Sequence, residues 1–209
     1  MKLWLFDILA CPICKHFPLK LFIFSYQTEE EIFRSYLSNY QKSDSVSLKS
    51  QDTIQIDYDN EHQILIKDNI VIEPKPLVDY MDALLSSIKE LNHIEDRSPY
   101  ETSKKCLNLA KESIYNDLKN LSQNLNLDGF QERLAELEFL NKLKVDAEID
   151  SGLLLCESCK RWYPIIETIP RMLPDEYRDK ESELQFLESK KNLLDEKFFT
   201  LDLKPFALK

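Results

Sequence analysis

The sequence predicts an α+β protein in which a small metal-bound β-module, built from both chain ends, carries a large, mainly helical insertion and a C-terminal helical tail. Two Cys-x-x-Cys pairs lie near the two ends, apolar residues beside them follow strand-like patterns, and apolar residues between them recur at helical spacing. The expected boundaries are residues 1–25 plus 143–178 for the module, 26–142 for the insertion and 179–209 for the tail.

The first end of the chain favours a hairpin around the first cysteine pair. Residues 2–10 predict a strand that leads into Cys11 and Cys14, and residues 19–24 predict a second strand that leaves them. A Cys-x-x-Cys turn between two strands is the usual form of a metal knuckle.

The first part of the insertion predicts a helix, a loop and short strands in that order. A capping-box sequence followed by apolar residues at helical spacing predicts a helix over residues 28–40. The Ser-, Lys- and Asp-rich residues 41–52 predict an exposed loop. Alternating β-branched residues from 54 to 72 predict short antiparallel strands with a turn at residues 67–69.

The middle of the insertion predicts three helices. The first has four to five turns and starts at Pro76, since proline is favoured in a first helical turn. Ser98, Pro99 and Glu101 supply start signals for the second, and the third starts at Asp128.

The second end of the chain predicts another hairpin. Residues 143–149 and 152–156 are strand-like on either side of a turn at residues 150–152, which would deliver the second cysteine pair. Residues 162–173 are expected to be extended, and residues 184–198 to form a final helix.

The four paired cysteines predict one structural zinc ion. Cys11, Cys14, Cys156 and Cys159 can complete a tetrahedron of thiolates, although 141 residues separate the two pairs. Four cysteines leave no open coordination position, which favours a structural metal over a catalytic one, and a thioredoxin-type redox role is the alternative. The fifth cysteine, Cys106, lies in a helical pattern and is expected in or near the core.

Composition excludes several classes of function. A net charge of −10 argues against sequence-independent binding to nucleic acid. With only two glycines, Gly129 and Gly152, the chain lacks a phosphate-cradling loop, which argues against binding a nucleotide or S-adenosylmethionine by itself. No apolar run approaches the length of a membrane helix or a secretory signal, so we expect a cytoplasmic protein with no membrane partner.

The residues around the two knuckles resemble the tRNA methyltransferase 112 family of zinc-binding activator subunits. The resemblance lies in MKLWLFDILACPICKHFPLKL at the start and CESCKRWYPIIETIPRMLPDEYR near the end, and covers about residues 1–22 and 143–178. The insertion and the tail after about residue 179 depart from the family pattern. The matching elements are Tyr163-Pro164-Ile165, Ile169-Pro170 and Met172-Leu173.

The resemblance implies a zinc-ribbon-like module plus a helical domain, with no catalytic activity. It also implies a heterodimer with a Rossmann-fold, S-adenosylmethionine-dependent methyltransferase that the subunit keeps soluble and active. Substrates in the family include tRNA, ribosomal RNA and the glutamine of a translation release factor.

The segment after the second knuckle is expected to bind that partner. Pro164 favours an edge strand, which could extend a partner's sheet, and aromatic and Arg side chains are frequent interface anchors. The alternative for Trp162 and the isoleucine side chains is that they form the module's own core. The candidate partner-binding residues are Arg161, Trp162, Tyr163, Ile165, Ile166, Ile169, Arg171 and Met172.

Two other functions stay open. One is a zinc-ribbon nucleic-acid-binding or transcription accessory protein, which the acidic charge disfavours, and the other is an autonomous enzyme, for which the scattered histidines offer no constellation. Basic residues near the knuckles could contact RNA indirectly within a complex, or could form an ordinary solvated surface. These residues are Lys15, His16, Lys20, Lys160 and Arg161.

Overall fold

The computed structural model describes residues 1–42, 53–61 and 63–208, so the expected loop over 41–52 lies, from residue 43 onward, outside the described residues. The chain divides into two compact units. Unit 1 comprises Met1–Gln27, His93–Pro99 and Glu148–Lys209, and unit 2 comprises Thr28–Asn92 and Tyr100–Ala147.

The described elements confirm the α+β class. The strands are β1 (Lys20–Tyr26), β2 (Gln55–Tyr58), β3 (Ile64–Lys67), β4 (Lys75–Pro76), β5 (Ile94–Asp96), β6 (Ile149–Leu155), β7 (Trp162–Ile166) and β8 (Ile169–Pro170). The helices are α1 (Leu3–Phe6), α2 (Glu30–Lys42), α3 (Leu77–Glu90), α4 (Glu101–Leu109), α5 (Tyr115–Gln123), α6 (Leu127–Gln131), α7 (Leu134–Asn141), α8 (Lys180–Ser189) and α9 (Glu196–Phe199). Single π-helical turns join α4 to α5 (Ala110–Ile114) and extend α7 (Lys142–Asp146). Among the described residues, no helix is long and apolar enough to cross a membrane.

Unit 1 is built on a five-stranded sheet in the order β5-β1-β6-β7-β8. β1 runs parallel to β5 and antiparallel to β6, while β7 is antiparallel to both of its neighbours. Phe22 pairs with Leu153, and Leu155 pairs with Trp162, so these apolar side chains share one face of the sheet.

The residues after 179 cover that apolar face. The cluster contains Phe22, Phe24, Leu153, Leu155 and Trp162 from the sheet and Leu187, Leu194, Phe198 and Leu203 from the C-terminal residues. The sequence predicted one final helix, but the structure forms α8 and α9 with extended backbone at the buried Leu194 between them. The C-terminal residues therefore belong to unit 1 by packing, as does β5, which pairs with β1.

Gly152 explains why one predicted turn is wrong. The sequence placed a turn at residues 150–152, whereas these residues lie inside β6. A Cβ atom on Gly152 would come within 2.7 Å of the Phe22 carbonyl oxygen, so this glycine lets the backbone of β1 approach closely.

The ends of other predicted elements also differ. Within the strand expected over residues 2–10, Leu3–Phe6 form the short helix α1, in which Leu3 and Phe6 bury side chains three positions apart on one helical face. The strand expected over 143–149 begins only at Ile149, after the π-helical turn. Ser98 does not cap the second helix, which starts at Glu101; the backbone N–H of Ser98 donates to Asp96 Oδ1 instead.

Unit 2 packs its helices around a core that confirms the predicted helical character. Helix α2 contacts α4 and α7, while α3 contacts α5 and the small antiparallel sheet β2-β3-β4. Fully buried side chains include Phe33, Tyr80, Leu118, Phe130 and Leu140.

The hairpin predicted around residues 67–69 does not form. The chain makes a turn there that the Asp68 carboxylate holds through hydrogen bonds. Its Oδ1 accepts hydrogen bonds from the backbone N–H groups of Ile70 and Val71, and its Oδ2 accepts from the Tyr80 hydroxyl and the Asn141 side-chain amide. Residues 70–72 therefore do not pair with β3, whose neighbours are β2 and β4.

Candidate metal centre

Two matched turns hold the four paired cysteines, and we call them the first knuckle (residues 11–16) and the second knuckle (residues 156–161). In the first, the N–H of Cys11 donates to the carbonyl five residues on (3.0 Å), and the N–H of Lys15 donates back to Cys11 (2.9 Å). In the second, Cys156 and Lys160 repeat both bonds at 2.8 and 2.9 Å. The same local backbone therefore presents each pair of sulfur atoms.

The lysine after each pair has a matching conformation. Lys15 and Lys160 have φ angles of 61° and 60°, in the left-handed region that is uncommon for residues other than glycine. The ammonium group of Lys15 donates to the carbonyl of Pro12 at 2.8 Å, and that of Lys160 donates to the carbonyl of Glu157. Each knuckle thus carries a fixed positive charge, which would offset part of the negative charge of four metal-bound thiolates.

The sulfur atoms of all four cysteines lie within 4.8 Å of one another. Cys11 Sγ is 3.6 Å from Cys159 Sγ, and Cys14 Sγ is 3.5 Å from Cys156 Sγ. With metal–sulfur bonds of about 2.3 Å, the edge of a zinc–thiolate tetrahedron is about 3.8 Å. The cluster could therefore hold a tetrahedral metal ion, and it joins the two ends of the chain.

The ionisation of the four thiol groups also depends on a bound cation. Burial alone would raise the pKa of Cys11, but hydrogen bonds from the N–H groups of Cys14 and Ile13 and from the Tyr163 hydroxyl lower it to about 6. Burial raises the pKa of Cys156 to about 12. Four sulfur atoms this close cannot all ionise without a positive partner, whereas a metal ion favours the thiolate at each.

Tyr163 supports the cluster from within unit 1. Its hydroxyl lies 3.3 Å from Cys11 Sγ, and burial raises its pKa well above the ordinary value for tyrosine, so the hydroxyl keeps its proton and can donate to the sulfur. Sequence reasoning named this residue as a partner contact and missed this contact with the cluster.

Three of the predicted partner-binding side chains have no surface to offer. Trp162, Tyr163 and Ile165 are each 0% exposed. The C-terminal residues cover Trp162, the Tyr163 hydroxyl contacts Cys11, and Ile165 packs over Gly152 of β6. All three side chains lie in the buried core of unit 1, which the sequence offered as the alternative for Trp162 and Ile165 but not for Tyr163.

The other predicted partner-binding residues keep some exposure. Ile169 is 62% exposed, Arg171 is exposed, and Ile166 and Met172 are partly buried. Arg161 is also partly buried and forms a bidentate ion pair with Asp175, at 2.8 and 3.1 Å to one carboxylate oxygen and 3.1 Å to the other.

The predicted edge strand is not at the edge of the sheet. β7 has β6 on one side and β8 on the other, and the backbone N–H of Trp162 also donates to the carbonyl of Lys204 at 3.2 Å. The edge strands of the sheet are β8 and β5. The strand that contains Pro164 therefore already has a neighbour on each side, and the prediction of an edge strand there is wrong.

Cys106 is not a member of this cluster and belongs to unit 2. Its side chain is buried, its sulfur is 3.6 Å from the carbonyl oxygen of Phe33, and burial raises its pKa to about 12. The predicted core position of Cys106 is confirmed.

Comparison with known proteins gives one family match. A family model described as Trm112p-like protein matches residues 2–167, well over half of the chain and all four paired cysteines. No curated protein and no solved structure matches the chain.

Proposed function

We propose that this chain, which belongs to the Trm112p-like family, is a non-catalytic subunit that binds, stabilises and activates S-adenosylmethionine-dependent methyltransferases. The proposed partners have a Rossmann fold and act on tRNA, ribosomal RNA or a translation release factor, and the proposed complex is a cytoplasmic heterodimer. The observation that carries the proposal is the four-cysteine cluster joining both chain ends within the family match.

The proposed metal is one structural zinc ion held by Cys11, Cys14, Cys156 and Cys159. The spacing of the sulfur atoms supports it, since paired thiolates at this distance suit tetrahedral zinc. A centre with four thiolates has no position for water or substrate, which supports a role in building the unit and not in chemistry.

The proposed docking surface consists of Ile169, Leu173 and Tyr177. These large apolar side chains are 62%, 46% and 71% exposed, and they follow β7 within a short stretch of chain. Exposed apolar side chains that recur in one segment mark interaction sites more often than single ones do. Arg171, also exposed, adds a residue type that is enriched at interface hot spots.

Contact through side chains is better supported than strand addition. At β8, Pro170 has no N–H to donate, and its carbonyl accepts a hydrogen bond from the N–H of Met172 at 3.1 Å. At the opposite edge, Glu95 of β5 is paired with Lys20 and Arg97 at 2.5 Å each, and such charges discourage pairing with another strand.

Co-purification with Rossmann-fold methyltransferases of the same organism tests the proposal. We expect a stable one-to-one complex with faster methyl transfer than the methyltransferase achieves alone. A chain that shifts RNA unaided and forms no such complex would favour the nucleic-acid-binding alternative.

A matched pair of variants tests the docking surface. Ile169→Asp should weaken the complex at least about tenfold, because it places a charge in an apolar contact. Val78→Asp is the control, since Val78 is 61% exposed but lies in unit 2. Equal binding by the two variants would move the interface away from Ile169.

A further inference from the structure

A short C-terminal segment pairs directly with the backbone that leaves the second knuckle. We call residues 202–206 the C-terminal strap. The N–H of Lys204 donates to the carbonyl of Lys160 at 3.0 Å, and the N–H of Trp162 donates to the carbonyl of Lys204 at 3.2 Å. Lys160 follows the zinc-ligand candidate Cys159 immediately, so the strap binds the end of the second knuckle and the first residue after it.

Side chains reinforce this pairing. The indole N–H of Trp162 donates to the carbonyl of Phe206 at 2.9 Å, and Leu203 is buried in the apolar cluster. The strap is therefore anchored on both sides of Lys204.

A buried arginine links the strap to the rest of the site. The Arg178 guanidinium lies 5.3, 5.2 and 5.7 Å from the ring centroids of Trp162, Tyr163 and Phe206. It also donates to the carbonyl of Trp162 at 2.7 Å and pairs with the buried Glu183. Because the Tyr163 hydroxyl in turn contacts Cys11, a continuous set of contacts joins the strap to both knuckles.

Without the strap, the carbonyl of Lys160 and the N–H of Trp162 would lose the main-chain partner that Lys204 provides. β8 pairs with β7 only at Ile165 and Ile166, so the edge from Lys160 to Trp162 depends on Lys204. The strap lies beyond the family match, which ends at residue 167. It is therefore a feature of this chain outside the matched region.

We propose that the C-terminal strap holds the second knuckle in its metal-binding geometry, so that strap docking and zinc binding stabilise each other. The inference rests on the proposed zinc site. Coupling between two binding events is reciprocal, so zinc must strengthen strap docking by the same factor as the strap strengthens zinc binding.

Two truncated chains test whether the strap strengthens zinc binding. A chain ending at Leu201 lacks the strap, and a chain ending at Phe206 keeps it. We expect a chromogenic chelator to remove zinc at least about tenfold faster from the shorter chain, since each of the three lost hydrogen bonds is worth roughly a factor of two to ten. Equal release rates from the two chains would overturn the proposal.

A third variant separates local support from general stability. Leu194→Ala weakens the same apolar cluster but touches neither knuckle. The proposal requires zinc release from Leu194→Ala to stay close to that of the intact chain. Release as fast as from the chain ending at Leu201 would show that only overall stability matters, which overturns the proposal.

Hydrogen exchange on the intact chain tests whether zinc strengthens the docking of the strap. The amide protons of Lys204 and Trp162 should lose protection at least about tenfold when zinc is removed, and unchanged protection would overturn the coupling. If the intact chain takes up no zinc, the proposed metal site fails together with the coupling. If it binds zinc but the strap has no effect, the coupling alone fails.

Discussion

Replacing Arg178 by methionine removes a buried positive charge from unit 1. The Arg178 side chain is 0% exposed, its partner Glu183 is 7% exposed, and the guanidinium makes two hydrogen bonds to that carboxylate. A third bond, of 2.7 Å, goes to the carbonyl of Trp162. Removing one partner of a buried ion pair leaves the other charge without compensation, so we expect unit 1 to lose about 3 to 5 kcal/mol.

Tryptophan fluorescence during urea unfolding measures this loss, because both tryptophans, Trp4 and Trp162, belong to unit 1. The midpoint should fall by about 1 M urea or more. Arg171→Met is the control, since Arg171 is exposed. Replacing Arg178 and Glu183 together by methionine should recover much of the loss. A midpoint for Arg178→Met equal to that of Arg171→Met would refute the reasoning.

Three further outcomes follow from the same structure. Cys156→Ser combined with Cys159→Ser should abolish zinc binding, and unchanged zinc by elemental analysis would contradict the ligand assignment. Asp68→Ala should destabilise unit 2 by at least about 3 kcal/mol in urea unfolding, since four donors lose their acceptor; a smaller loss would mean that water replaces the carboxylate. The Arg161 guanidinium lowers the pKa of Asp175, so this ion pair stabilises the protein above the ordinary Asp range and is lost as the pH falls below it. Asp175→Asn should therefore be less stable than the unmodified chain at neutral pH, with a difference that shrinks on acidification, and a constant difference would argue against the pair.

The cysteine cluster could be anticipated because each half of it is local. A Cys-x-x-Cys turn specifies its own geometry, and only the meeting of the two halves depends on the rest of the fold. The helices of unit 2 were predictable for a similar reason, since the spacing of apolar residues in α3 already defines the buried face.

Features that depend on distant partners were not visible in the sequence. Trp162 and Ile165 look like interface residues until the C-terminal residues and β6 are known to cover them. Gly152 suggests a turn in isolation, and only the closeness of the Phe22 carbonyl shows that a strand needs it. β5 has only three residues, too few to show an alternation of apolar and polar side chains, and its pairing with β1 defines it as a strand.

The separation of the two knuckles sets an order of events on the ribosome. Cys156 is synthesised 142 residues after Cys14, which at about 5 to 20 residues per second takes about 7 to 30 s. During that interval the nascent chain offers only two of the four thiolates, so any ion captured early must take its remaining ligands from solvent or from small thiols. The four-cysteine cluster, and with it the five-stranded sheet of unit 1, is therefore completed late in translation.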